Sequence, residues 1–195
     1  MSESTTLHEA LQEWYFTENL QDHGKPIEDC ELCNQEQLRY HFEIKNRNTF
    51  NCLWVGSSCI LKFQVQVFDK GVLLNIDGAK KKLNALTLDM RLDTCIKALV
   101  ELAATESNNI LKNALEFYKR NQFLTPKYAF VVLWRLKINN IDHSPSFFKV
   151  SLKKDKYKKD LADMPLDRVH VIWSALSSSQ RNLAISYGHS IPNGT

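Results

Sequence analysis

Four of the five cysteines in this 195-residue chain lie between positions 30 and 59. Cys30 and Cys33 have the two-residue gap that lets both thiolates of a tight turn, a zinc knuckle, reach one tetrahedral metal ion, and the turn-tolerant Asn34 follows them. The chain starts without the basic and apolar segments of a signal peptide, so a disulfide framework is not expected. The cluster therefore predicts metal ligands, with zinc as the metal.

The residues after the knuckle predict a β-hairpin that would complete the site. Between residues 38 and 45, apolar and polar residues alternate with the period of a half-buried strand. Residues 46–51 are turn-rich, and residues 52–55 form a second short strand. Because the knuckle precedes the first strand and Cys59 follows the second, the hairpin would bring three sulfurs to its open end.

The fourth ligand is harder to assign from the sequence. Cys52 would lie at the closed end of the hairpin, roughly 15 Å or more along the chain from the open end, at the usual rise of a strand. His41 would lie where the first strand faces Gly56, so its imidazole could point at the open end. His23, seven residues before the knuckle, is the alternative, and we prefer His41.

A buried group of free cysteines in a reduced core is the alternative to a metal site, because unpaired cysteine is among the most buried residue types. If a metal is present, we expect structural Zn²⁺, since a small hairpin rarely stands alone and a thiolate site contributes folding energy directly. A catalytic zinc would need an open coordination position and a neighbouring base. Nothing in the pattern selects Glu31 or Glu43 for that role.

The segment from Cys30 to Phe63 resembles a zinc-knuckle and β-hairpin module of poorly characterised proteins from bacteria, phages and plasmids. The matching residues, about a sixth of the chain, are the run LRYHFEI at 38–44, Asn46, Thr49, the run LWVGSSCI at 53–60, Lys62 and Phe63. The familiar module has glycine where this chain has Asn34, and position 52 is not usually cysteine. The resemblance supports the hairpin and the ligands Cys30, Cys33 and Cys59, and suggests a mobile-element origin, but it implies no reaction.

The remainder of the chain predicts a mainly helical body. Apolar spacing predicts an amphipathic helix over residues 6–20, Thr125 precedes a proline at a helix start, and Ser177 opens a capping box. We therefore expect an α+β fold in which an N-terminal zinc-stabilised β-hairpin module, residues 1–74, is followed by a mainly helical body, residues 75–195.

Several other residues predict packing rather than chemistry. Cys95 lies on a helical apolar stripe, and Trp134 and Trp173 occupy apolar helical contexts. We expect these three side chains in the core. Cys52 is likewise expected to be a packing residue.

Charge is distributed unevenly despite a formal net charge of only +3. Residues 1–60 hold 4 Lys and Arg against 10 Asp and Glu, whereas residues 61–195 hold 21 against 12. In a basic segment expected to end as a loop, Phe147, Phe148 and Tyr157 lie among lysines, which suits phosphate contacts with stacking groups nearby. The predicted nucleic-acid-binding residues are Lys149, Lys153, Lys154, Lys156, Lys158 and Lys159.

The sequence lacks the common catalytic motifs, including phosphate-binding loops, zinc-protease helices and nucleophile elbows. We therefore expect a non-enzymatic, cytoplasmic protein that binds nucleic acid or a nucleoprotein complex and has no membrane segment. One alternative is an inhibitor of a host defence system, of the anti-CRISPR kind, whose acidic residues bind a basic surface on a host protein. Another is a metal-dependent nuclease built from Glu43, Lys45 and an upstream Asp22 or Asp29.

Overall fold

The computed structural model of the protein describes residues 2–4 and 6–192, except for the side chains of residues 7 and 8. It is an α+β structure with a small antiparallel sheet towards the N terminus and a mainly helical remainder. The chain forms two compact units, residues 1–91 and 92–195. This division lies later in the chain than the predicted boundary at 74/75, within one continuous helix.

Within the described residues, all strands lie in the first unit. Its elements, in chain order, are α1 (Leu7–Gln12), β1 (Trp14–Asp22), β2 (Tyr40–Asn46), β3 (Cys52–Val55), α2 (Ser57–Lys62), β4 (Phe68–Asp69), β5 (Val72–Leu73) and the start of α3 (Ile76–Thr105). The second unit contains the rest of α3, α4 (Ile110–Asn121), α5 (Pro126–Ile138), α6 (Asp155–Ala162), α7 (Leu166–Ile172) and α8 (Ser178–Ser186), with 3-10 turns at Pro145–Phe147 and Trp173–Ala175.

The first unit is organised by a three-stranded antiparallel sheet in the order β1-β2-β3. The predicted hairpin is confirmed, because β2 pairs with β3 from Phe42 opposite Val55 to Lys45 opposite Cys52. The sheet shares one apolar core with α2 and the start of α3. The core side chains include Phe16, Phe42, Ile44, Val55, Ile60, Leu83 and the cysteines at positions 30 and 59.

The prediction of one helix over residues 6–20 is wrong, because the helix ends at Gln12 and the chain continues as β1. Trp14 and Phe16 are buried and Tyr15 between them is less so, which is the alternation of a strand. Phe16 pairs with Ile44 of β2. The aromatic and β-branched run at 14–17 favours a strand, and pairing with β2 overrides the helical spacing of the apolar residues.

Glu13, at the junction of α1 and β1, predicts an acid dependence of stability. Hydrogen bonds from Ser4 and from the side-chain amide of Asn46 lower the pKa of the Glu13 carboxyl from about 4.5 to about 2. A lowered folded-state pKa stabilises the protein above pH 4.5, and this contribution is lost as the pH falls towards 2. Glu13→Gln should therefore lower the thermal midpoint at pH 7 and flatten its dependence on pH between 4.5 and 2.

The control for Glu13→Gln is Glu36→Gln, which removes a carboxylate that is exposed. Thermal unfolding followed by circular dichroism across the acid range measures both variants. Identical profiles for Glu13→Gln and Glu36→Gln would contradict the assigned role of Glu13.

The second unit is a helical assembly around α5. Its core includes Ala129, Val132, Leu133 and Leu136 of α5, with aromatic and aliphatic side chains from the neighbouring helices. The predicted cap at Thr125 and the predicted capping box at Ser177 are both confirmed. Cys95 and Trp173 are buried as expected. In contrast, the segment predicted as a lysine-rich loop forms α6.

No helix in the described part of the chain combines the length and the apolar character needed to cross a membrane.

Candidate metal centre and lysine-rich surface

The sulfurs of Cys30, Cys33 and Cys59 converge in the first unit. Cys59 Sγ lies 3.1 Å from Cys33 Sγ and 3.5 Å from Cys30 Sγ, and all three sulfurs lie within 4.8 Å of one another. These distances are longer than a disulfide bond of about 2 Å, and all three residues are free cysteines. The sequence prediction that these three side chains share one site is therefore confirmed in its geometry.

The knuckle between β1 and β2 is held in shape by its own backbone. The Asn34 N–H donates to the Cys30 carbonyl at 2.8 Å, and the Cys30 N–H donates to the Gln35 carbonyl at 2.9 Å. Asn34 has a φ of +56°, a left-handed conformation in which asparagine is several-fold enriched. Asparagine is therefore compatible with the left-handed turn that closes the knuckle.

The knuckle is also attached to the edge strand β3. The Glu31 N–H donates to the Trp54 carbonyl at 3.0 Å, and the Trp54 N–H donates to the Glu31 carboxylate at 2.6 Å. Two residues beyond Trp54, Gly56 caps α2, and its carbonyl accepts the Cys59 N–H at 3.0 Å. Strand β3 therefore positions both parts of the cysteine cluster.

The surroundings of Cys30 favour its thiolate. Burial raises the pKa of the Cys30 thiol, but hydrogen bonds to its sulfur from the backbone N–H groups of Gly56, Leu32 and Cys33 bring that pKa below its ordinary value. Burial and the neighbouring sulfurs raise the pKa of Cys59. Because the thiolate is the metal-binding form, Cys59 would lose its proton when a cation binds.

The sulfur separations fit a tetrahedral metal ion. A Zn–S bond of 2.3 Å in a tetrahedral site places its sulfurs about 3.8 Å apart. The observed contacts of 3.1 and 3.5 Å, with all three sulfurs inside 4.8 Å, are close to that separation. The three thiol groups could therefore hold a soft or borderline metal ion with small side-chain adjustments.

The two histidines proposed as fourth ligand lie outside this cluster. His41 Nε2 lies 3.1 Å from the Asp29 carbonyl oxygen, and His41 Nδ1 lies 3.3 Å from Nε2 of His23. His23 Nδ1 is in turn 3.7 Å from the Glu28 carboxylate. Strand alternation explains why His41 lies outside the cysteine cluster. The neighbouring Phe42 faces the core, so His41 faces the other side of the pleat. This arrangement corrects the prediction of His41 as a ligand.

Cys52 is correctly excluded from the cluster, but its predicted packing role is wrong. It lies opposite Lys45 at the start of β3, and its side chain is exposed.

The left-handed turn at Asn34 predicts a specific substitution pattern. Asn34→Gly should leave the free energy of unfolding close to that of the wild type, because glycine adopts positive φ without strain. Asn34→Val should reduce the free energy of unfolding by about 1–2 kcal/mol, since a β-branched side chain is disfavoured there. Urea denaturation of the purified protein measures both, and equal stability of the glycine and valine variants would contradict the prediction.

The lysine-rich segment is exposed but differs from the predicted loop with stacking rings. Within the described residues, the exposed side chains of Lys149, Lys153, Lys156 and Lys159 form no salt bridge. The other two predicted lysines are engaged, since Lys158 Nζ lies 3.0 Å from Asp155 and Lys154 Nζ lies 5.7 Å from the Tyr157 ring centre.

The aromatic residues of this segment are not available for stacking as predicted. Phe148 and Tyr157 are buried in the core of the second unit, and Phe147 is packed against it. Tyr157 reaches the core because α6 is a helix with one buried face, whereas Phe147 and Phe148 lie at the end of the 3-10 turn Pro145–Phe147.

A ring and guanidinium cluster on α5 is not predicted by the sequence analysis. Trp134, expected in the core, is 38% exposed, and its indole stacks on Phe130 with ring centres 6.1 Å apart. Arg168 lies 5.0 Å from the Phe130 ring centre, and Arg135 lies 4.4 Å from the Trp134 ring centre. The four-residue spacing of Phe130 and Trp134 is the only sequence signal for this cluster.

Among the residues that the structure describes, the carboxylates of the nuclease alternative do not form a metal site. Glu43 accepts hydrogen bonds from Thr17 and Asn19, and these bonds lower the pKa of its carboxyl. Asp22 is paired with Arg39, with an N–O distance of 2.8 Å. Among the described residues, the three cysteines are the one group that could hold a metal ion.

Comparison of the chain with protein-family models, curated protein sequences and solved structures finds no match.

Proposed function

We propose that the protein is a non-enzymatic nucleic-acid-binding protein in which a structural zinc ion stabilises the first unit and lysines of the second unit contact phosphates. The observation that carries the binding role is a set of four exposed lysines, Lys149, Lys153, Lys156 and Lys159, which form no salt bridge within the part of the chain that the structure describes. The zinc role depends on the converging sulfurs of Cys30, Cys33 and Cys59.

A zinc ion would connect parts of the first unit that are distant in the chain. The knuckle lies between β1 and β2, and Cys59 lies on α2 after β3. Three bonds to one ion would fix both segments against the edge of a sheet of only three strands. Such a site contributes its binding free energy to folding, which is valuable for a small sheet.

The lysine-rich surface has the charge expected for phosphate contacts. Residues 149–159 hold six lysines and one aspartate, a net charge of +5, and the second unit holds 15 Lys and Arg against 9 Asp and Glu. The four unpaired lysines keep their charge available for an external anion. The rings of Trp134 and Phe130 lie on α5, which is linked to α6 by a 2.7 Å contact between Lys127 and Asp160. Of the two rings, Trp134 is exposed, and an exposed ring beside a guanidinium such as that of Arg135 is typical of surfaces that bind single strands.

The test is fluorescence anisotropy of labelled single-stranded and duplex oligonucleotides with the 195-residue protein at increasing salt. We expect binding at low salt that weakens linearly on a double logarithmic scale, because phosphate contacts release counterions. Absence of salt-sensitive binding to every oligonucleotide would contradict the proposed function. Recovery of a stoichiometric complex with a protein in its place would favour the inhibitor class.

A further inference from the structure

The cysteine cluster supplies three ligands, whereas zinc in proteins is almost always four-coordinate. Among the described residues, no histidine, carboxylate or further cysteine places a ligand atom with the three sulfurs. A metal ion held by the three cysteines would therefore have a fourth coordination position with no ligand from the described residues.

The two candidate ligand side chains, His41 and Glu31, are engaged in other contacts. Both ring nitrogens of His41 have partners, in the Asp29 carbonyl and in His23. The Glu31 carboxylate accepts the Trp54 N–H at 2.6 Å, which attaches the knuckle to β3. Recruiting His41 to the metal would require its ring to give up the Asp29 carbonyl or His23, and the Glu31 carboxylate is already attached to β3 through Oε2.

The cluster has one side accessible to solvent. Cys30 and Cys59 are 1% and 4% exposed and belong to the apolar core, whereas Cys33 is exposed. Solvent therefore reaches the cluster at Cys33, while the core closes the side of Cys30 and Cys59.

We propose that a zinc ion held by Cys30, Cys33 and Cys59 takes its fourth ligand from outside the chain, and that a neutral imidazole, such as that of a histidine on a bound partner, is the class of ligand that fits. This inference depends on the metal binding proposed above and is independent of nucleic-acid binding. It departs from the closed coordination that is usual for structural zinc.

The charge of the site supports a neutral ligand. Three thiolates and one Zn²⁺ ion carry a net charge of −1, so a fourth anionic ligand would increase the negative charge beside an apolar core. In the free protein, water would occupy the position. When imidazole binds, its nitrogen lone pair forms the new bond to the metal and the water leaves intact, so no proton or electron is transferred.

Cobalt substitution of the 195-residue protein tests this inference. Co²⁺ replaces Zn²⁺ in tetrahedral thiolate sites and has visible ligand-field bands that respond to a change of one ligand. Titration with imidazole should shift these bands in a saturable way with one equivalent bound per cobalt. The thiolate-to-cobalt charge-transfer absorption should persist, which shows that the three cysteines stay bound.

Two matched variants separate an external ligand from an internal one. His41→Ala and His23→Ala should give the wild-type cobalt spectrum and the wild-type response to imidazole. A wild-type spectrum that ignores imidazole, or a spectrum that changes in His41→Ala before any imidazole is added, would show that the chain closes the site and would overturn the inference. Failure to bind cobalt at all would instead overturn the metal binding on which the inference depends, and the inference with it.

Discussion

Replacing Cys33 by Ser is expected to remove the metal and to destabilise the first unit strongly. The apparent binding free energy of structural zinc is about 10–16 kcal/mol and contributes to folding, whereas whole domains are stable by only about 5–15 kcal/mol. Loss of even 3 kcal/mol would lower the midpoint of a unit of this size by more than about 10 °C. Because Cys33 is exposed, this loss would come from the metal and not from packing.

The matched control is Cys52→Ser, which removes an exposed thiol outside the cluster. Cys52→Ser should match the wild type in its metal content, measured by elemental analysis, and in its thermal midpoint, measured by calorimetry. A chelator should lower the wild-type midpoint towards that of Cys33→Ser and leave Cys33→Ser unchanged. A Cys33→Ser protein with the wild-type midpoint would contradict a structural role for the metal.

Neutralising the four unpaired lysines is expected to produce the largest loss of nucleic-acid binding. Each phosphate contact contributes about 0.9 to the salt slope on duplex DNA and about 0.7 on single strands, so the quadruple alanine variant should flatten the slope by roughly 3–4. Its affinity at low salt should fall about ten- to a hundredfold. The substitutions are Lys149→Ala, Lys153→Ala, Lys156→Ala and Lys159→Ala.

The control for the lysine variant removes the same charge from other helices of the second unit. Its substitutions are at four further exposed lysines, Lys97→Ala, Lys112→Ala, Lys119→Ala and Lys137→Ala. We expect this control to keep a salt slope close to that of the wild type, because the net charge is matched and only the position differs. Equal losses in the two quadruple variants would show a general charge effect and would contradict a localised lysine site.

Local signals were sufficient to predict part of the fold. The β2-β3 hairpin and the caps at Thr125 and Ser177 follow from short patterns whose physical cause is local. Strand β1 could not be predicted in this way, since the apolar spacing near residues 6–20 favours a helix and only pairing with β2 decides the outcome. The same limit applies to α6, where charge suggested a loop and two buried side chains define a helix.

The candidate site was predicted where chain geometry alone determines position. The hairpin places Cys59 beside the knuckle and excludes Cys52, and both conclusions needed only the length of the strands. The prediction for His41 failed because it depended on which face of β2 the imidazole occupies. The prediction that Trp134 is buried was wrong for a related reason, since an apolar helical context does not show which side of the helix is covered.

Native mass spectrometry of the purified protein, compared with its mass after denaturation in acid, tests whether the first unit holds a zinc ion. We predict one zinc ion per chain in the native protein, absent from Cys33→Ser and retained in Cys52→Ser. A native wild-type protein that carries no metal, with the thiols of Cys30, Cys33 and Cys59 free, would contradict a zinc-stabilised first unit.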